Sequence, residues 1–272
     1  MRRPLATLTL LLAFGAAHAQ SAAGDDSAKL AEKLSNPVAS LISVPLQFNY
    51  DSSIGPLRDG HKNYLNIQPV IPIQLNEDWN VISRTILPVV SQADIASGSG
   101  SQHGIGDITQ SFFFTPRAPG SNGVIWGLGP ALLIPTASDE LLGGKKWGAG
   151  PTGLVLRQAH GWTYGVLVNQ IWSFASVKGK YSDRPPVSAM FVQPFLSFTT
   201  PTAWTYGTNI ESSYDWHGHD ATVPINFSAG KLTRFGKQPV SFTGGIRYWI
   251  SSTDTGPHGW GYRFVVTMLF PK

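Results

Sequence analysis

Trp260-Gly261-Tyr262-Arg263-Phe264-Val265-Val266-Thr267-Met268-Leu269-Phe270 stands two residues from the end of the sequence. Its even positions are all apolar, while Gly261, Arg263 and Thr267 fall among the odd ones. Successive side chains of a strand point to opposite faces, so this period of two describes a strand with one apolar face. An apolar face carrying aromatics, on a strand that ends the chain, predicts the closing stave of a transmembrane β-barrel. Arg263 then belongs on the other, lumenal face.

Composition agrees with many strands and turns. Of 272 residues only 13% are charged, against 42% hydrophobic, with 29 Gly, 20 Pro, 14 Phe, 9 Trp and 8 Tyr. Cysteine is absent, which excludes a disulfide framework and thiol chemistry. At the start, Arg2 and Arg3 precede an apolar run, Leu5–Ala17, and Ala17-His18-Ala19. That order predicts a secretory signal over residues 1–19, since the run is too short to span a membrane as an anchor. Its removal leaves 18 basic and 16 acidic residues, a balance that does not point to nucleic acid. Later apolar runs are too short for a transmembrane helix, which barrel strands do not require.

Residues 20–39 read as a polar leader and one short helix, Ser27–Ser35, with Asp26 or Ser27 as cap and Asn36-Pro37 as stop. The helix could lie against the periplasmic rim or plug a lumen. From residue 40 to 272 the pattern is strands alone. Twelve are expected: around Ile42–Tyr50, Leu65–Leu75, Trp79–Ser91, Ile105–Thr115, Val124–Pro135, Trp147–Gln158, Trp162–Phe174, Ser188–Thr199, Trp204–Trp216, Thr222–Arg234, Pro239–Ser251 and Trp260–Phe270. The sixth alternates too poorly for its faces to be assigned. Connections after odd strands (Asp51–Gly60 and Gln92–Gly104 first) are mostly long, and those after even strands mostly tight, the asymmetry of a bacterial outer-membrane barrel.

Length separates a membrane barrel from a soluble sandwich. Trp204 to Trp216, at about 3.3 Å per residue and tilted about 45°, rises roughly 28 Å. An outer-membrane apolar band is about 25 Å tall with aromatics at both edges. Trp204 and Tyr206 at one end and Tyr214 and Trp216 at the other supply those edges, and Trp162, Tyr164, Trp172 and Phe174 repeat them. Against this stand Pro45, Pro69, Pro72, Pro88, Pro130, Pro151, Pro194 and Pro224 inside the expected strands. Proline cannot donate to a ladder, so bulges are expected there.

The candidate functional residues are charges on the polar faces: Arg84, Asp107, Glu211, Asp215, Arg247 and Arg263. A charge facing lipid costs about 2–4 kcal/mol at mid-depth, so these should point into the lumen. Glu211 and Asp215 lie two strands from Arg247 and three from Arg263, within reach across the inner wall. Such a network either braces the wall or forms a constriction that selects solutes. His217-Gly218-His219-Asp220 lacks the spacing for further metal ligands. No Gly-x-Ser-x-Gly elbow is present, and Gly143-Gly144-Lys145-Lys146 is no phosphate loop. No enzyme activity, metal or cofactor is expected.

The motifs also carry a resemblance. They include Leu34-Ser35-Asn36-Pro37, Gly104-Ile105-Gly106-Asp107, Trp126-Gly127-Leu128-Gly129-Pro130, Lys146-Trp147-Gly148-Ala149-Gly150-Pro151, Trp162-Thr163-Tyr164-Gly165, Gln193-Pro194-Phe195, Gly236-Lys237-Gln238-Pro239-Val240 and the ending Leu269-Phe270-Pro271-Lys272. Together they resemble the bacterial outer-membrane family labelled "phenol degradation meta-pathway" proteins, some of whose members carry the label neuromedin U. The resemblance implies a barrel that passes small, often aromatic or hydrophobic, compounds, and brings no binding residues with it. The expected partners are outer-membrane lipid, the small solute, and the outer-membrane assembly machinery through the aromatic face of Trp260–Phe270. The competing expectation is a non-conducting barrel that acts through its loops.

Overall fold

The computed structural model describes residues 26–177 and 184–271. The expected signal segment and most of the polar leader lie outside the described residues. Residues 26–34 are helical (α1). No described helix is long and apolar enough to cross a membrane; the long elements are strands.

The strands form twelve staves. They are β1 (Ile42–Ile54), β2 (Gly60–Ile67 and Val70–Gln74), β3 (Trp79–Ala93), β4 (Ser101–Ile105 and Ile108–Pro116), β5 (Val124–Ile134) and β6 (Lys146–Ala159). The second half holds β7 (Trp162–Ser176), β8 (Ser188–Thr199), β9 (Trp204–Ile210 and Ser212–Asp215), β10 (Asp220–Phe235), β11 (Gln238–Ser251) and β12 (Gly259–Phe270). Each pairs antiparallel with its neighbours in sequence, and β12 pairs with β1 from Ile42 opposite Phe270 to Tyr50 opposite Tyr262. The result is a closed twelve-strand antiparallel barrel, which removes the sheet edges that would otherwise invite aggregation. Tight turns gather at one end with α1 and Phe270, here the turn end. The longer connections gather at the other, the loop end.

Alternation sorts the two faces as the terminal stretch suggests. Trp260, Tyr262, Phe264 and Phe270 are exposed on the outer surface, whereas Gly261, Thr267 and Leu269 are buried. The outside carries aromatic pairs towards both ends. Trp79 meets Trp126 edge-on at 5.8 Å and Trp162 lies 4.9 Å from Phe198 at the turn end. Tyr248 lies 4.9 Å from Trp260, and Tyr214 meets Trp216 edge-on at 4.8 Å, at the loop end. In β6 the burial alternates regularly, with Trp147, Pro151 and Val155 outward and Thr152, Leu154 and Leu156 inward. Its sequence hides this because Leu154 and Leu156, which face inward, are as apolar as the outward Val155.

The prolines account for the broken staves. In an antiparallel bonded pair each residue both donates and accepts, and proline can only accept. Gln68 donates its backbone N–H to Pro45 at 2.9 Å, Thr85 to Pro69 at 3.1 Å, Gly106 to Pro88 at 2.8 Å and Glu211 to Pro224 at 3.1 Å. The return bond is missing in each pair, and the breaks in β2, β4 and β9 fall at these places. Across its break β2 keeps its register with β3, since Ile67 faces Leu87 and Val70 faces Arg84. In β4 one residue is extra, because Ile105 faces Val89 but Thr109 faces Ile86. Pro224 adds a bulge against β11. The other four sit in ladders that run on past them on one side, Pro72 opposite Ile82, Pro194 opposite Val166 and Pro130 opposite Pro151.

Candidate functional site: the barrel lumen

The lumen is filled by three layers, built from the turn end upward. Residues 26–41 form the first. Ala31, Ala39 and Leu41 are buried with Leu232 of β10 and Leu269 of β12. Val38, immediately before Ala39, is buried with Ile82, Phe113, Leu154, Leu156 and Leu167 of β3, β4, β6 and β7. Those two walls face each other across a twelve-stave ring, so the segment crosses the bore. Gln158 of β6 donates to the carbonyl of Glu32 at 2.7 Å, and a Cβ placed on Gly127 would lie 3.4 Å from Val38. Of the two positions open to the short helix, the structure has the plug.

The second layer is a charged waist. Glu211 of β9 takes Arg263 Nη1 and Nη2 at 2.8 Å each, a two-pronged pair, and Arg247 Nη2 also at 2.8 Å. Arg247 continues round the wall. It donates to Asn226 Oδ1 at 2.9 Å, Asp51 Oδ2 at 3.2 Å and the Tyr64 hydroxyl at 2.7 Å. Asp51 accepts a further bond from Trp249 Nε1 at 3.0 Å, Arg263 reaches Asn49 at 2.8 Å, and Asn226 reaches Asn209 at 2.8 Å. Side-chain exposure is 4% for Arg247 and 5% for Asp51. Every charge there is therefore hydrogen-bonded, the condition under which buried ions are tolerated. Removing a single member would leave the others uncompensated.

Arg84 of β3 faces the same bore nearer the turn end, donating to Gln68 Oε1 at 3.1 Å. Between the waist and the plug lies a cavity of about 350 Å³, lined by Arg84, Gln68, Asn209 and Thr243 and by the apolar side chains of Leu34, Val70 and Phe195. Lys62 stands opposite Asp51 in the ladder, 5.5 Å from the Tyr64 ring.

A third layer closes much of the loop end. Residues 135–145 fold inward, burying Ala137 and Leu142 with Val90 and against Tyr64. Asp107 at the β4 bulge holds this loop: its carboxylate accepts backbone N–H bonds from Ala137 at 3.0 Å, Gly144 at 2.6 Å and Lys145 at 3.3 Å. Arg184 donates to the carbonyls of Gly143 and Glu140 from the neighbouring loop. Leu141 returns its carbonyl to Gln92 at 3.1 Å.

Of the six charges singled out in the sequence, Glu211, Arg247 and Arg263 thus meet directly and Arg84 lines the cavity below them. Asp107 is not in the waist; it is a loop anchor. Asp215 is not there either: it is exposed at the loop-end rim, where its carboxylate accepts the His217 backbone N–H at 2.9 Å. The sequence pattern puts Asp51 in a loop, yet β1 continues to Ile54 and carries it into the network. The signal was present, since Gln47, Asn49 and Asp51 extend the polar face of β1 by one more step. Tyr64, Asn226 and Trp249 carried no comparable mark, because each is an ordinary strand residue until its partners are placed. Among the described residues no three His, Asp or Glu side chains come together as a metal-binding group.

The barrel is closed, and its outer band is apolar between aromatic edges. This is an outer-membrane β-barrel. Two solved structures, a channel and a porin, share the fold. The crystal structure of a COG4313 outer membrane channel from Pseudomonas putida F1 superposes with a TM-score of 0.67 at 14% identity, over 85% of this chain and 96% of that one. The NanC porin superposes with a TM-score of 0.50 at 9% identity, over 84% of this chain and 98% of that one. Outer membrane phospholipase A from Escherichia coli gives 0.48 at 11% identity, over 91% and 98%. No protein-family model matches the sequence, and a search of curated proteins gives no significant match. The barrel's place is the bacterial outer membrane.

Proposed function

We propose that the barrel is a passive channel for small compounds, and that it belongs to the outer-membrane family its motifs resemble. The observation that carries this reading is the way the bore is filled. At the turn end it is blocked by a separate segment, residues 26–41, and above that segment an open cavity remains. A barrel built only as a wall would close its bore with side chains of its own staves. Eight staves leave room only for side chains and sixteen leave an aqueous channel, so twelve suit a narrow, stoppered path. The similarity in fold to an outer membrane channel and to a porin supports the same reading. Aromatic or hydrophobic solutes are the class implied by the motif resemblance, and Val70 and Phe195 on the cavity wall suit them.

The second reading is a non-conducting barrel, and the waist favours it. Glu211, Arg247 and Arg263 bridge β9, β11 and β12 into one cluster that narrows the bore. Liposome swelling separates the two. Proteoliposomes should swell faster than empty liposomes in small solutes, and the rate should fall as the solutes grow. Swelling equal to empty liposomes for every solute overturns the channel reading.

A further inference from the structure

We infer that the cavity between the waist and the plug is a binding station for a small organic carboxylate, with Arg84 as its anion contact. The waist arginines are fully engaged: Arg247 and Arg263 each reach Glu211, and Arg247 also reaches Asp51. Arg84 differs. Among the described residues its one hydrogen-bond acceptor is Gln68 Oε1, no carboxylate lies within ion-pair distance of it, and Glu211, already shared by Arg247 and Arg263, acts on it only through space. A guanidinium carries five donors in a planar fork that matches a carboxylate. One neutral acceptor therefore leaves most of that fork without a hydrogen-bond partner at the cavity wall.

The surrounding charges point the same way. At and below the waist Lys62, Arg84, Arg247 and Arg263 stand against Asp51 and Glu211, so the region carries more positive than negative charge. The cavity wall is mixed: Val70 beside Arg84 in the ladder and Phe195 across the bore are apolar, and Thr208, Asn209 and Thr243 are polar. A volume of about 350 Å³ lies at the small end of ligand cavities, which run to roughly 1,000 Å³. One cation with apolar contacts from Val70 and Phe195 suits a compact molecule with a carboxylate and a small hydrocarbon body. An inorganic anion would leave those contacts unused.

This inference deepens the channel reading by naming a solute class, and binding can be tested without flux. Benzoate and its neutral isostere benzamide are titrated into the folded full-length barrel in detergent at fixed chloride, by calorimetry. Folding of each variant is checked by heat-modifiable gel mobility. Wild type should bind benzoate at least about tenfold tighter than benzamide, the effect of roughly one charge-assisted hydrogen bond. Arg84→Gln should lose that preference and Arg84→Lys should keep part of it. Thr243→Trp, which fills the cavity, should abolish binding of both probes and serves where Arg84→Gln does not fold. Equal binding of the two probes by wild type, or a benzoate preference that survives Arg84→Gln or Thr243→Trp, overturns the site. Binding without swelling would overturn transport and leave the site standing.

Discussion

Glu211 and Arg263 form a two-pronged ion pair, both bonds 2.8 Å long, although two staves lie between theirs in the wall. The pair is possible because Arg263 occupies an inward position of a strand whose outward positions are aromatic. With its side chain 20% exposed, Glu211 is only partly desolvated. Removing one partner of a buried pair costs about 3–5 kcal/mol, and this exposure favours the lower value. Glu211→Gln should therefore lower barrel stability by about 3 kcal/mol, measured by urea titration in lipid vesicles. A loss below about 0.5 kcal/mol would mark the pair as the kind of exposed bridge that contributes little.

Arg247 ties Glu211 to Asp51 and so sets the sign of the waist. Arg247→Ala leaves both carboxylates without it, and selectivity should move towards cations. Reversal potentials in a salt gradient measure this directly. Unchanged potentials would limit the cluster to bracing the wall.

Much of this architecture is legible in the sequence, for a definite reason. Lipid on one side and a polar bore on the other force alternation, so Trp204–Trp216 and Trp260–Phe270 declare their faces. Where the bore is apolar the signal disappears: Leu154 and Leu156 face inward, and β6 could not be read. Stave ends were missed where polarity continues into a loop, which cost Asp51 and the Ser101–Ile105 segment. Asp107 and Asp215 look like Glu211 in sequence, because alternation assigns a face but not a height. At the rim a carboxylate finds backbone N–H groups instead of arginines. The place of the plug is not legible for a similar reason, since Ala31, Leu34 and Val38 need only an apolar surface and both rim and bore offer one.

Asp107 is expected to govern the loop over the bore. Asp107→Ala removes an acceptor shared by three backbone N–H groups. Residues 135–145 should then be cut by trypsin at Lys145 at a protease concentration that leaves wild type intact. Equal resistance would show that the buried Leu142 and the Arg184 bonds hold the loop unaided.

Pro224 denies one ladder bond to Glu211 and seats a bulge against β11. Pro224→Ala restores the missing donor, and one added backbone bond is worth about 1 kcal/mol. The urea midpoint should rise accordingly. A fall would show that the bulge is required to aim Glu211 at its arginines.

Planar-bilayer recording of the barrel with residues 26–36 deleted, beside the intact chain, tests the central claim most directly. With the plug shortened, single-channel conductance should rise severalfold over the intact barrel, and openings should last longer. A deletion variant that folds, inserts and passes no current would contradict the channel reading.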